Sequence, residues 1–348
     1  MTIERTEIRP GYSISRILKG GWHLSAGHNI DVDRAMAIDD MARFVEAGVT
    51  SFDCADHYTG VEEMIGNFRR AYPELAAKIQ IHTKYVPDWD ALPVLTRADT
   101  VGIIDRSLKR LGVDALDVVQ FFWWNAEVPG AVETALVLAD LRRQGKIKHI
   151  GTTNFSTTQL AGLLEAGVPI ALNQLQYSLV DNRPERQQLD LCRRHDIAVV
   201  TYGHLLGGFI SSDWIGQPEP FSFANRSQRK YKLIIEDFGG WELFQELLGA
   251  LKSIGDRLGV GPGEVALRWT LDRPGIAGCI VGATSTRNLA RNAKVFDIAL
   301  SDADRATLSA ICARRTGPAG DCYELEADRT GRHGSIMRHN QNEMAARA

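Results

Sequence analysis

Short apolar runs alternate with longer amphipathic segments along most of the chain. The runs are Ser51–Cys54, Ile79–Lys84, Leu116–Phe121, Ile147–Thr152, Ile170–Gln174, Ile197–Tyr202 and Ile276–Val281, with a first one near Arg16–Gly20. They are rich in Val and Ile and show little polar alternation, as expected of parallel strands whose two faces are both covered. Between them, apolar positions recur at helical spacing over Asp33–Ala47, Glu62–Ala71, Asp99–Leu111, Ala131–Gln144, Thr157–Ala166, Pro184–His195, Trp241–Leu258 and Thr286–Val295. Gly48, Gly112 and Gly145 follow three of these segments, where glycine readily takes the left-handed turn that ends a helix. The strand–helix beat never breaks into two halves, so the pattern predicts an α/β fold of the closed (β/α)8 TIM barrel type.

Two stretches depart from the beat. Gly203–Gly240, after the seventh strand, is rich in Gly, Pro, Ser and aromatic residues and predicts a long loop serving as a lid or binding segment. Beyond Ile311 the chain turns polar and rich in Gly and Arg, which predicts a tail laid across the barrel mouth or disordered in part at its end. With no internal repeat and no clean boundary, residues 1–348 are expected to form one barrel domain, its core at about 15–315 and its tail at 316–348.

Composition narrows the partners. The chain has 348 residues, where a barrel typically needs about 250, and 44% hydrophobic residues suffice for a large core. A net charge of −3 with both signs interspersed offers no footprint for nucleic acid and no polybasic membrane patch. No apolar run approaches the ~20 residues needed to span a bilayer, and Met1–Pro10 is too polar for a signal peptide. The five cysteines are odd in number and lack metal-ligand spacing, which suits a reduced cytoplasmic protein without a metal site. The expected partner is a small-molecule substrate, with monomer and homo-oligomer both open.

Barrel enzymes carry their chemistry at the C-terminal ends of the strands. There, Asp53 ends the second predicted strand, Tyr58 follows in the loop, and Lys84 ends the third. The lysine should lower the tyrosine's pKa, and the carboxylate should hold the lysine charged, together making a proton-transfer device. The competing reading is a structural ion pair between Asp53 and Lys84. Gly151–Ser156 also reads as a turn in which Ser156 caps the next helix. His23, His57, His82 and His204 fall near strand ends, with His82 expected to point away from the side of Lys84. No Rossmann glycine fingerprint follows a strand.

The segment Phe52-Asp-Cys-Ala-Asp-His-Tyr-Thr-Gly-Val-Glu-Glu-Met-Ile-Gly66 resembles the signature of the aldo-keto reductases. So do, in order, Thr83-Lys84, Gly151-Thr-Thr-Asn-Phe-Ser156, Asn173-Gln174, Tyr202, and Ile280-Val-Gly-Ala-Thr284 followed by Asn288 and Asn292. The resemblance covers roughly residues 15–315 and implies NADP as cofactor, with NAD as the alternative. It implies that Asp53, Tyr58 and Lys84 are catalytic, Tyr58 donating the proton. It further implies that Thr153, Asn154 and Gln174 hold the nicotinamide carboxamide while Tyr202 stacks on the ring. Gly20, Gly21 and Trp22 would approach the cofactor from the first strand; Gly282, Thr284, Arg287, Asn288 and Asn292 would grip its adenosine end. Arg287 and Arg291 favour NADP.

One position departs from the family. Its fourth catalytic residue is a histidine in a run similar to V-Q-F-H-W-W, whereas this chain reads Val119-Gln-Phe-Phe-Trp-Trp124, with Phe122 in the histidine's place. Phenylalanine donates no hydrogen bond, and losing one such donor commonly costs on the order of 10²–10³ in turnover. The expected function is an NADP(H)-dependent oxidoreductase acting on a small polar or sugar-derived carbonyl or alcohol. The alternative is a cofactor-pocket barrel turned to a lyase, dehydratase or epimerase-type reaction. A third reading is a binding or regulatory role like that of potassium-channel β subunits. Either His23 or His204 is a candidate to replace the missing donor.

Overall fold

The computed structural model describes residues 3–26 and 32–342, so residues 343–348 of the expected tail and the first two residues lie outside it. Its first elements are a hairpin, β1 (Arg5–Arg9) and β2 (Tyr12–Ser15). Eight parallel strands then close into a barrel: β3 (Ile17–Gly20), β4 (Ser51–Asp53), β5 (Gln80–Tyr85), β6 (Leu116–Phe121), β7 (Ile147–Thr153), β8 (Ile170–Gln176), β9 (Ala198–Tyr202) and β10 (Ile276–Gly282). Closure comes from β10 pairing with β3, Cys279 opposite Ile17 through Gly282 opposite Gly20. All eight strands match the apolar runs to within two residues, because strands buried on both faces leave an uninterrupted hydrophobic trace. The (β/α)8 fold class is therefore as expected.

The hairpin was not anticipated. Its strands are too polar to read as apolar runs, since only one face is covered. On that face Ile8 and Ile14 pack with Leu18, Leu172, Val200 and Ala277, sealing the N-terminal end of the barrel.

The outer helices are α1 (Arg34–Glu46), α2 (Val61–Ala71), a single turn α3 (Pro73–Ala76), α4 (Arg97–Leu111), α5 (Ala131–Arg143), α6 (Thr157–Glu165) and α7 (Gln188–Arg194). Ser156 caps α6 reciprocally with Gln159, as its sequence suggested. Helices α2 and α4 approach so closely at Gly66 that a Cβ there would collide with the Arg110 carbonyl oxygen.

The second half departs further from expectation. Gly203–Gly240 is not wholly loop: it contains α8 (Arg226–Phe238), which buries Tyr231, Ile234, Ile235 and Phe238. That spacing is helical, but the Gly-, Pro- and Ser-rich flank obscured it. After α9 (Gly240–Leu258) come α10 (Pro262–Leu271), α11 (Leu289–Lys294) and α12 (Asp302–Cys312). Helix α10 escaped notice because nearly every position is buried, leaving no polar face to reveal a period.

Beyond α12 the chain crosses the C-terminal mouth, with a short helical turn, α13 (Glu324–Ala327), and a 3-10 turn, Gly334–Ile336. Asp321 accepts from the Thr157 backbone N–H at 2.6 Å, at the start of α6. Glu326 is fully buried and takes a two-pronged ion pair from Arg183, at 2.9 and 3.0 Å. Asn342 donates to Asp56 (2.9 Å) and to the Val86 carbonyl (2.6 Å), following β4 and β5. The tail is thus fastened to loops on several sides of the mouth.

Candidate active site

Asp53 ends β4 and Lys84 lies near the end of the neighbouring β5, so both side chains enter the barrel at the same rim. Lys84 Nζ donates to both Asp53 oxygens, at 2.9 and 2.8 Å, and to the Cys54 carbonyl at 2.8 Å. Asp53 Oδ1 also accepts from Gln120 on β6 (3.1 Å) and Gln174 on β8 (2.6 Å). A buried ion pair is tolerated only when the remaining lone pairs and protons are also met, and these two amides meet them. Burial alone would lower the Lys84 pKa, but Asp53 overrides it and holds the ammonium well above its usual range.

Alternation along β5 fixes what shares this interior. Thr83 points outward and donates to Glu62 on α2 at 2.7 Å. His82 therefore shares the inward face of Lys84, contrary to the expectation that it points away. It sits beneath the ion pair, 3.2 Å from Tyr12 Oη of the hairpin, and burial pushes its pKa down to about 4. It is a neutral floor residue.

Tyr58 stands in the turn between β4 and α2, its backbone N–H bonded to the Ala55 carbonyl at 3.1 Å. Lys84 Nζ lies 4.8 Å from the centre of its ring. The indole of Trp22 covers another side at 5.0 Å, and His57 meets the ring edge-on at 4.8 Å. The Tyr58 pKa is pushed up to about 12 by burial, which outweighs the lowering effect of Lys84. The expected net lowering is thus reversed: the phenol holds its proton at neutral pH, as an acid must before it donates.

The aromatic run at the end of β6, Phe121–Trp124, divides by alternation. Phe121 turns outward onto Tyr85 and Phe155, and Trp123 donates to the Val128 carbonyl. Phe122 turns into the mouth, its ring edge-on to Trp124 at 4.7 Å and to Tyr323 of the tail at 5.5 Å. The position of the missing histidine is therefore walled by rings on two sides.

The expected cofactor residues lie along the rim from β7 round to β3. Asn154, at φ 58°, bonds through its backbone to the Gln174 carbonyl, and its side-chain oxygen accepts from Tyr202 Oη at 2.7 Å. Thr153 Oγ1 donates to Gln174 Oε1 at 3.4 Å. Gln174 itself turns its amide nitrogen to Asp53 and Gln120, into the carboxylate network rather than the open mouth. Gly21 donates its backbone N–H to the Asp53 carbonyl at 2.8 Å, and a Cβ there would collide with that same oxygen. Trp22 opens a short turn, Trp22–Leu24, beside it.

At the far end, Gly282 lies against the His23 imidazole, and Thr284, Arg287 and Asn288 are exposed. Asn292 is buried on α11. Arg291 is held by Glu264 at 3.0 and 3.2 Å. His23 bonds Ser227 of α8 at 3.2 Å. His204 is buried, and burial pushes its pKa down to about 3. The strands that precede these two histidines, β3 and β9, each stand three places round the barrel from β6 and Phe122. Among the described residues no cluster of His, Cys, Asp and Glu could hold a metal, and no helix is long and apolar enough to cross a membrane.

Sequence reasoning missed Gln120. Its signal was a lone amide inside an apolar strand, two residues before Phe122, where the side chain faces the barrel interior.

Comparison with known proteins agrees with this geometry. Residues 16–313 match the model of the Aldo/keto reductase family. The aldo-keto reductase YhdN of Bacillus subtilis is 26% identical over 310 residues, 86% of this chain and 91% of that protein. Flagellar radial spoke protein 5 of Chlamydomonas reinhardtii is 29% identical over 268 residues, 65% of this chain but only 49% of its own length. An aldo/keto reductase from Klebsiella pneumoniae, solved in complex with NADP and acetate, superposes with a TM-score of 0.66 at 22% identity, over 89% of this chain and 94% of that one. With the barrel closed and the family model matched over nearly its whole core, this chain belongs to the aldo/keto reductase family.

Proposed function

We propose that the protein is an NADP(H)-dependent oxidoreductase for a small polar or sugar-derived carbonyl or alcohol, with Tyr58 as proton donor. The observation that carries this reading is the Lys84 ammonium, fixed by Asp53 and lying 4.8 Å from the Tyr58 ring. A reduced nicotinamide, when bound, supplies the hydride. The donor set suits such a group: Tyr202 presents a half-buried ring face beside the amide of Asn154, and Thr284, Arg287 and Asn288 are exposed along one edge. As the Tyr58 proton passes to the substrate oxygen, the forming phenolate is stabilised by the fixed ammonium, an arrangement that needs no reorganisation. Gln120 and Gln174 act on Asp53, holding its carboxylate in place. Five free, buried cysteines suit a reducing cytoplasm.

NADPH is expected to bind more tightly than NADH, with Asn154 holding the carboxamide and Tyr202 the ring. Titration of nicotinamide fluorescence checks this, and no binding of either cofactor at millimolar concentration removes the oxidoreductase reading.

The lyase, dehydratase or epimerase alternative rests on Phe122, whose ring leaves Tyr58 as the sole donor of the usual pair. The variant Phe122→His separates the two. A reductase weakened by a missing donor should gain aldehyde reduction by at most about 2.7–4 kcal/mol, the usual worth of one such donor. Trp124 and Tyr323 crowd the site from the side, which favours the lower end. If Phe122 instead shapes a pocket for other chemistry, the imidazole is desolvated against apolar walls. Native turnover then falls with no gain toward aldehydes, and the alternative replaces the reductase.

A further inference from the structure

Lys230, on the first turns of α8, is a cation that nothing above uses. Its Nζ lies over three tyrosine rings, 5.2 Å from the centre of Tyr202, 5.6 Å from Tyr231 and 5.5 Å from Tyr323. Among the described residues no carboxylate comes within ion-pair distance of it and no protein acceptor takes its three protons. The nearby acids are already committed. Asp181 and Glu326 both bind Arg183, and Asp181 also accepts from Gln176 at 2.7 Å. Lys230 is half-buried, and burial lowers its pKa, partly offset by the more distant Glu326. Aromatic faces stabilise such a charge without satisfying its donors.

The cage borders the position of the missing donor. Tyr323 touches Phe122, which stands at the empty donor position. Its phenol is pushed up by burial first, then by Glu326. One side of the mouth thus has a proton donor and another an ammonium with no protein acceptor, with the rings of Phe122 and Tyr323 between them.

We infer that Lys230 receives an anionic group, carboxylate or phosphate, at the far end of a carbonyl substrate whose oxygen faces Tyr58. A charge-assisted bond at this position would hold the substrate in register from its distal end, which is where a site lacking one carbonyl donor gains most from positioning. A ring stacked on Tyr202 takes one face of the cage and leaves Tyr231 and Tyr323 to steer the ammonium. The inference rests on the reading of Tyr58 as proton donor to a carbonyl.

The test compares 4-carboxybenzaldehyde with 4-methylbenzaldehyde, and glyceraldehyde 3-phosphate with glyceraldehyde, in wild type, Lys230→Met and Lys230→Arg. The expected result is a preference for one anionic member of about tenfold or more in kcat/KM, lost in Lys230→Met and kept in Lys230→Arg. Which pair shows it identifies carboxylate or phosphate. An equal preference in wild type and Lys230→Met overturns the inference, as does weakened NADPH binding in Lys230→Met with the preference intact, which would assign Lys230 to the cofactor. If no aldehyde is turned over, the reductase reading fails. Calorimetry of benzoate against benzamide, and of inorganic phosphate, on the protein alone then decides for Lys230. Anion binding lost in Lys230→Met sustains the site, and anion binding absent from wild type or unchanged in the variant removes it.

Discussion

Tyr58→Phe is expected to lower turnover by about 10²–10⁴, the usual contribution of a positioned proton donor, while leaving NADPH affinity nearly unchanged. The substitution removes one oxygen and keeps the ring that packs against Trp22 and beside Lys84. Its effect should therefore fall on kcat rather than on cofactor binding. The pH dependence has a defined sign. Burial raises Tyr58 to about 12, so its acid form dominates through neutrality, and carbonyl reduction should lose no rate from Tyr58 until pH approaches that value. Alcohol oxidation needs the phenolate and should climb steadily with pH over the same range. Steady-state rates in both directions, with parallel fluorescence titration, check both claims. A variant that keeps most of the wild-type rate means the proton comes from elsewhere.

Arg183→Met is expected to destabilise the protein by about 3–5 kcal/mol, because it leaves Asp181 and Glu326 buried with no cation between them. Arg183 is 1% exposed and bonds both carboxylates, each through two nitrogen–oxygen contacts. The tail should loosen first, since Glu326 is its buried anchor. Limited proteolysis within 313–342 would report that loosening, and urea unfolding would report the whole loss. Adding Glu326→Gln should recover part of it by removing one stranded charge. The clamp also has an acid limit. Burial would raise the Glu326 pKa, but Arg183 overrides this and brings it down from 4.5 to about 2. Its stabilisation is complete above about pH 4.5 and disappears as pH falls toward 2. If Arg183→Met unfolds within 1 kcal/mol of wild type, a threshold well below the ~3 kcal/mol expected for a broken buried pair, the clamp does not hold the tail.

Much of this architecture was legible because covered parallel strands write themselves as Val- and Ile-rich runs. The polar residues that end those runs, Asp53, Lys84, Gln174 and Tyr202, mark the rim without ambiguity. Elements with other burial patterns were less visible. The hairpin has one wet face and reads as polar chain, α10 is buried all round and shows no period, and α8 lies in a segment dominated by turn residues. Within the site, chain order could not show that burial outweighs Lys84 at Tyr58, because desolvation depends on what packs above the ring. Nor could it show that Gln120 and Gln174 converge on one carboxylate oxygen across strands that are not neighbours. Lys230 left no signal either, since its three rings come from β9, α8 and the tail.

The fastening of Glu326 to Arg183 spans 143 residues, and closing the barrel brings Lys19 to Ala283 across 264. Contacts so far apart in sequence form late, because chain entropy must be overcome before they reward it. During biogenesis the rim bearing Asp53, Tyr58 and Lys84 is synthesised long before the segment that brings Tyr323 against Phe122. A nascent chain therefore passes through a stage with its proton-transfer residues in hand and an uncovered aromatic surface at Phe122 and Trp124. Chaperone capture or premature aggregation is expected to act on that stage, and competence arrives only as the final turns settle.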